Sequence, residues 1–375
     1  MLGRLAKRTV TLAAVATLTA SVAALVPGAP AAGAAPPADP PVSAHGITVT
    51  GWSSAGTRTY EAALTTAAVY TPASAPDVTL RVRILFPAGY DPDRAAGYPA
   101  LYLLHGGGGT YRDWTDSGDV VGAAQRSGYP GIVVMPEGGR SGWYVDWASN
   151  TRGGFRPLWE TFHVDQLVRW VDANFNTDAR PAGRAIAGLS MGGFGALSYA
   201  GRNPSVFGTV ASFSGGTDID ATHDGNPSTP GNKDAAQIVD EALVLAGAAI
   251  VDQGFLWDPL LHYRLPGTTR EQRLTQVFGP RSTWPSFNPQ DLAENGGYAP
   301  FSGRLALYTG RDDSDFEIGR WNTALHDTLV AEGVAHRWCN LRGNHDWRYW
   351  RVHLEHFMTT LAGNPAPACP TTTWP

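Results

Sequence analysis

Apolar positions along the chain follow two periods, and the way these succeed one another lays out the fold. Between Ile47 and Pro87 apolar and polar residues alternate, most plainly in Val78-Thr-Leu-Arg-Val-Arg-Ile-Leu-Phe86. This is the two-residue period of half-buried strands, and it predicts an antiparallel entry to a sheet. After Gly97-Tyr98-Pro99 the runs become continuous: Ala100-Leu-Tyr-Leu-Leu104 and Gly131-Ile-Val-Val-Met135 have no polar break, as strands covered on both faces do. Helical spacing follows over Phe162 to Phe175, where Val164, Leu167, Val168, Val171 and Phe175 share one face. Strand Arg184-Ala-Ile-Ala187, helix Met191 to Arg202 and strand Thr209-Val-Ala-Ser-Phe213 come next. The order resumes with strand Leu305 to Tyr308, helix Trp321 to Glu332, strand Arg337 to Leu341 and helix Trp347 to Leu361. Such alternation predicts an α/β fold: a mainly parallel central sheet with helices on both faces.

Residues 216–303 interrupt this order with a stretch rich in Gly, Pro, Asn and aromatics, containing one clear helix from Ala235 to Ile250. A segment this long between core strands reads as a lid or pocket wall. At the start, Arg4, Lys7 and Arg8 precede an apolar run from Val10 to Val26 and small residues through Ala35. This is the pattern of a secretory signal peptide over 1–34 with cleavage near Ala34, followed by a Pro/Ala-rich lead-in over 35–46. The main domain is then 47–362 and the Pro-rich tail 363–375. Outside the leader no apolar run is long enough to span a membrane. With 43% hydrophobic and 16% charged residues in 375 the chain can build a large core. Its net charge of −5, more negative once the leader's cations are removed, argues against nucleic acid or an anionic membrane surface as partner. Export makes the two cysteines informative, because thiols in an oxidising compartment tend to pair. Cys339 and Cys369 would close a loop around the last helix and pin the tail to the body.

The strongest chemical signal is Gly188-Leu189-Ser190-Met191-Gly192 between a predicted strand and a predicted helix. A serine there sits on a tight turn that lifts its hydroxyl above the sheet, the arrangement of a nucleophile. It needs a base, and a group to orient that base, later in the chain. His345, in Arg342-Gly-Asn-His-Asp-Trp347 after the last strand, is the best placed histidine. Gly310-Arg-Asp-Asp-Ser-Asp315 directly follows the preceding strand, and Asp313 is the acid chosen over Asp312 and Asp315. The alternating Asp313, Asp315 and Glu317 also suit calcium, but the central Gly and distal Glu of an EF-hand loop are missing, so no metal site is assigned. Backbone N–H donors for the oxyanion are expected from Met191 and from the glycine run after His105, with Gly107 the best single choice.

Taken together these residues resemble the esterase D-like branch of the α/β-hydrolases, which contains secreted mycolyltransferases, feruloyl esterases and S-formylglutathione hydrolases. Gly142-Trp-Tyr-Val-Asp-Trp147, Trp159-Glu-Thr-Phe162, Gly188-Leu-Ser-Met191 and His345-Asp-Trp-Arg-Tyr-Trp350 look specifically like the mycolyltransferase subgroup. The resemblance implies an α/β-hydrolase fold, supports His345 as base and implicates Trp347 in an acyl-acceptor site. It also differs instructively. Mycolyltransferases carry Asp-Gly-Leu-Arg, whose Asp and Arg help hold trehalose, where this chain has His105-Gly106-Gly107-Gly108. Their acid is a glutamate that would fall near Asp327, whereas the feruloyl esterase pattern Gly-x-x-Asp falls on Asp313. His105 and Trp347 are substrate-binding candidates on this basis, and Trp143, in a predicted loop, is the third.

The expected function is a secreted serine esterase acting on small-molecule, lipid or carbohydrate esters through a Ser190 acyl-enzyme. The alternative is a mycolyltransferase-like acyltransferase that passes the acyl group to a sugar or glycerol-type alcohol. A non-catalytic binding protein on a hydrolase scaffold is the third reading, and the complete Ser190, His345 and Asp313 set counts against it. No nucleotide, flavin or metal motif is present, and the proposed chemistry needs no cofactor. Trp143, Trp147, Trp257, Trp284 and Trp347 fall in predicted loops or the insertion. They either form a stacking cleft or serve as packing anchors.

Overall fold

The computed structural model describes residues 39–69, 80–150, 156–220, 270–313, 318–364 and 367–370. The expected leader, the helix from Ala235 to Ile250, Trp257 and Asp315 lie outside these residues.

Among the described residues nine strands form one sheet in the order β1-β2-β3-β5-β4-β6-β7-β8-β9. The first three are β1 (Ile47–Gly56), β2 (Thr59–Thr66) and β3 (Leu80–Leu85), paired antiparallel as their alternating pattern predicts. β3 then joins β5 (Ile132–Pro136) antiparallel. From β5 onward every pairing is parallel, through β4 (Ala100–Leu104), β6 (Arg184–Leu189), β7 (Thr209–Phe213), β8 (Leu305–Gly310) and β9 (Arg337–Leu341). Strands β4, β5, β6 and β8 are buried at every residue, which is why their sequences are continuous apolar runs rather than alternating ones.

Two apolar clusters cover the two faces. One gathers Ile84, Tyr102, Val134, Trp170, Phe194 and Leu307, and the other gathers Leu103, Val133, Ala187, Phe213, Tyr308 and Leu354. The helices flanking the sheet are α1 (Asp113–Asp116), α2 (Val120–Ser127), α3 (Val168–Asn174), α4 (Met191–Arg202), α5 (Arg270–Phe278), α6 (Pro289–Glu294), α7 (Ile318–Ala331) and α8 (Trp347–Leu361). α4 and α8 coincide with the expected spans. α4 is buried along most of its length, and Asp346 caps α8 by accepting the N–H groups of Arg348 and Tyr349.

The helix expected over Phe162 to Phe175 differs in its first half, where Thr161–Leu167 is a π-helical turn leading into α3. Phe162, His163 and Val164 are all buried there. Three consecutive inward residues are wider than the apolar stripe of a regular helix, and the wider π turn accommodates them. Among the described residues no helix is long and apolar enough to cross a membrane.

Candidate active site

The parallel half of the sheet puts all its C-terminal strand ends on one edge, and the loops leaving that edge carry the candidate residues. His105 follows β4, Glu137 follows β5, Ser190 follows β6, Asp313 lies beyond β8 and His345 beyond β9. A crevice outside the carboxyl ends of parallel strands is where open α/β sheets place their ligands.

Ser190 turns the chain from β6 into α4 with φ of 52° and ψ of −120°. A non-glycine residue held there stores about 1–3 kcal/mol of strain, and its surroundings fix it. Its N–H donates to Phe213 O at 2.9 Å, and its carbonyl accepts from Phe194 N–H at 3.1 Å and Gly216 N–H at 3.3 Å. The flanking glycines are there for space. A Cβ on Gly188 would collide with the Gly192 carbonyl, and one on Gly192 would lie 2.5 Å from His105 O and 2.6 Å from Leu104 O. The turn therefore has the geometry expected of a nucleophile elbow.

The glycine loop after β4 packs against this turn. A Cβ built on Gly107 would stand 4.0 Å from the Met191 Cβ, and one on Gly106 would lie 3.5 Å from the Ser190 Cβ. Among the described residues neither the Met191 N–H nor the Gly107 N–H meets a protein acceptor. Two free donors beside the serine, one of them at a helix N-terminus, suit an anion.

Asp313 is 3% exposed, and its Oδ2 lies 3.0 Å from His345 Nδ1. The competing carboxylates are elsewhere: Asp312 faces Arg342 at 3.6 Å with half its side chain exposed, and Asp327 sits exposed on α7, where its charge is felt by His326. The His345 ring also rests edge-on against Trp350, with centroids 4.9 Å apart.

His105 is placed differently from its expected role. It is wholly buried beneath the glycine loop, with Nδ1 2.8 Å from Gly106 O, and with Nε2 accepting the Gly138 N–H at 2.9 Å and lying 3.3 Å from Glu137 Oε1. A ring with no exposed surface and both nitrogens engaged does not serve as a substrate contact, so that expectation is corrected. Burial alone would lower its pKa, but the Glu137 carboxylate outweighs burial and raises it, while the Glu137 carboxyl is correspondingly lowered.

Trp347 is half-buried at the start of α8, edge-on to both Trp114 and Trp350 with centroids 5.2 Å apart in each case. Trp143 is 7% exposed and wedged between Phe194 and Phe278. Trp147 and Trp284 are fully buried, with indole N–H groups donating to Gly142 O and Gly279 O, so these two are packing anchors. Cys339 and Cys369 have Cα atoms 5.6 Å apart, within the reach of a disulfide.

The esterase family model ("Putative esterase") matches residues 73–360. Esterase Rv1288 of Mycobacterium tuberculosis is 47% identical over 137 residues, covering 36% of this chain and 28% of that protein. The diacylglycerol acyltransferase/mycolyltransferase Ag85B of Mycobacterium leprae is 37% identical over 116 residues, covering 30% of this chain and 34% of that protein. The matches thus span about a third or less of either relative's length. An S-formylglutathione hydrolase from Agrobacterium tumefaciens superposes with a TM-score of 0.57 at 15% identity, covering 84% of this chain and 99% of that one. The fold is that of the α/β-hydrolases, and with the family model matching most of its length the chain belongs to this esterase family.

Proposed function

We propose that the chain is a secreted serine esterase that hydrolyses carboxylic esters through an acyl-enzyme on Ser190. The observation that carries this reading is the hydrogen bond between Asp313 and His345 on the same sheet edge as the strained Ser190 turn. In the proposed cycle Ser190 Oγ attacks the ester carbonyl carbon while His345 Nε2 takes its proton. Asp313 holds the Nδ1–H and stabilises the imidazolium. The carbonyl oxygen becomes an oxyanion that accepts from the N–H groups of Gly107 and Met191. His345 returns the proton to the leaving alkoxide, and a water then repeats the sequence to release the acid and free the serine. The signal-like leader and the two cysteines within bonding reach support export.

The second reading is acyl transfer to an alcohol, favoured by the identity to Ag85B and by Trp347, half-open two residues after the base. Hydrolysis is preferred because the glycine loop lacks the Asp and Arg of the mycolyltransferases. A ladder of p-nitrophenyl esters, offered to the purified protein and to Ser190→Ala with and without trehalose, glycerol or glucose, tests both. Free acid as the main product, lost in the variant, supports the esterase. Acylated acceptor as the main product establishes the transferase instead, and equal turnover by the variant removes Ser190 from the chemistry.

A further inference from the structure

The glycine loop that offers the Gly107 N–H is gripped from below by one side chain that sequence reasoning did not single out. Glu137 is the first residue after β5, and its side chain is 13% exposed. Its Oε1 lies 3.3 Å from His105 Nε2 and accepts the Gly139 N–H at 3.0 Å. Its Oε2 accepts the Tyr111 N–H at 3.4 Å. The carboxylate thus lies against the start of the loop at His105, whose Nε2 accepts the Gly138 N–H at 2.9 Å, and accepts directly from its end at Tyr111.

At the start of the loop, the His105 contact sets a direction. Gly106 O is an acceptor only, so the His105 Nδ1 at 2.8 Å carries a hydrogen toward it, and the Gly109 N–H donates to the same oxygen at 3.2 Å. The Gly106–Gly107 peptide is trans and planar, so its C=O and N–H point in opposite directions. Holding the Gly106 carbonyl against His105 therefore turns the Gly107 N–H away from His105, in a loop whose Gly106 and Gly107 pack beside Ser190 and Met191. Tyr144 donates to His105 O at 2.9 Å, and Arg140 O accepts the Gly108 N–H at 2.7 Å, closing the support around the loop.

We propose that Glu137 is a positioning residue for this reaction: through His105 and Tyr111 it fixes the loop so that the Gly107 N–H is already aimed where the oxyanion forms. The inference rests on the Ser190 acyl-enzyme reading. A donor set in place beforehand stabilises the tetrahedral state and not the bound ester, so its loss appears in kcat and not in KM.

The test compares wild type with the isosteric Glu137→Gln, measuring kcat and KM on one p-nitrophenyl ester, the Ki of phenylboronic acid, which forms a tetrahedral adduct on serine, and the Ki of a non-hydrolysable amide analogue of the ester. The expected result is a kcat lower by about tenfold or more, part of the effect of losing an oxyanion donor outright. Boronate binding should weaken in step, with KM and amide binding within about twofold. Should Glu137→Gln fail to fold, Glu137→Asp keeps the charge but shortens the reach, and the same split between boronate and amide is expected. A folded variant with wild-type kcat and boronate affinity overturns the proposal, as does equal weakening of boronate and amide. If wild type neither turns over ester nor binds boronate, the serine-esterase reading itself has failed, which is a separate result.

Discussion

Asp313 Oδ2 and His345 Nδ1 are 3.0 Å apart although 32 residues separate them in the chain. Two neighbouring parallel strands, β8 and β9, bring them together: one delivers an almost fully buried carboxylate just past its end, and the other delivers an imidazole. Asp313→Asn keeps the shape but offers a donor where the ring's N–H needs an acceptor. A fall in kcat of about 10³–10⁴-fold is expected, by analogy with the same change in a known serine-protease triad. Asp312→Asn and Asp327→Asn should stay within about twofold. Steady-state kinetics on the three variants decide the acid, and a large loss in Asp327→Asn with Asp313→Asn unaffected would move it to α7.

The glycines of the site divide by the space around them. Gly107 has ordinary van der Waals room for a methyl group, with the nearest neighbours at 3.9 Å and 4.0 Å, whereas a methyl on Gly192 would meet two backbone carbonyls at 2.5 Å and 2.6 Å. Gly107→Ala is expected to retain activity within a few-fold, because its role is carried by the N–H. Gly192→Ala should lose most activity or soluble yield, since an overpacked backbone costs about 1–3 kcal/mol or more. Comparable behaviour of the two in expression and turnover assays would contradict this division.

Two buried histidines make stability fall in mild acid. His163 and His353 are pushed down by burial to about 4, from an ordinary 6.5. As pH drops through 6.5 the unfolded chain takes up protons at these sites while the folded protein does not. Unfolding is therefore favoured progressively until about pH 4. Each site can contribute about 3 kcal/mol across that window. Urea melts between pH 7.5 and 4.5 should show a steadily falling midpoint, and a midpoint independent of pH would contradict the burial argument.

Cys339 and Cys369 are 30 residues apart in sequence. A bridge closing that loop is worth about 3–4 kcal/mol in the loop-entropy view. Thiol titration of the protein under denaturing conditions should find no free thiol. Reduction should lower the melting temperature while leaving kcat within about twofold, because the bridge lies on β9 and the tail rather than at the serine. Two titratable thiols before reduction would show that the pair is not bridged.

Much of this was legible in the residues. Continuous apolar runs marked the strands buried on both faces, and the boundaries of α4, β7, β9 and α8 follow directly from the pattern. Ser190, Asp313 and His345 could be singled out because each follows a recognisable strand. His105 was misplaced because its motif shows its neighbours along the chain but not its depth beneath the loop. Glu137 was missed although it had the same signal as the others, standing first after a buried strand. A lone carboxylate in Pro136-Glu-Gly-Gly139 shows no partner until the sheet order sets β5 beside β4. The π-helical turn was hidden because Val164, Leu167 and Val168 satisfy a regular helical face, and only the burial of Phe162 and His163 beside them calls for the wider turn.

Covalent chemistry at Ser190 is read out directly by the intact mass of the protein quenched in acid during turnover of a p-nitrophenyl ester. A species heavier by one acyl group is expected, mapped by peptide sequencing to the segment containing Ser190 and missing in Ser190→Ala. Turnover with no such species under single-turnover conditions, or an acyl group mapped to another residue, would contradict it.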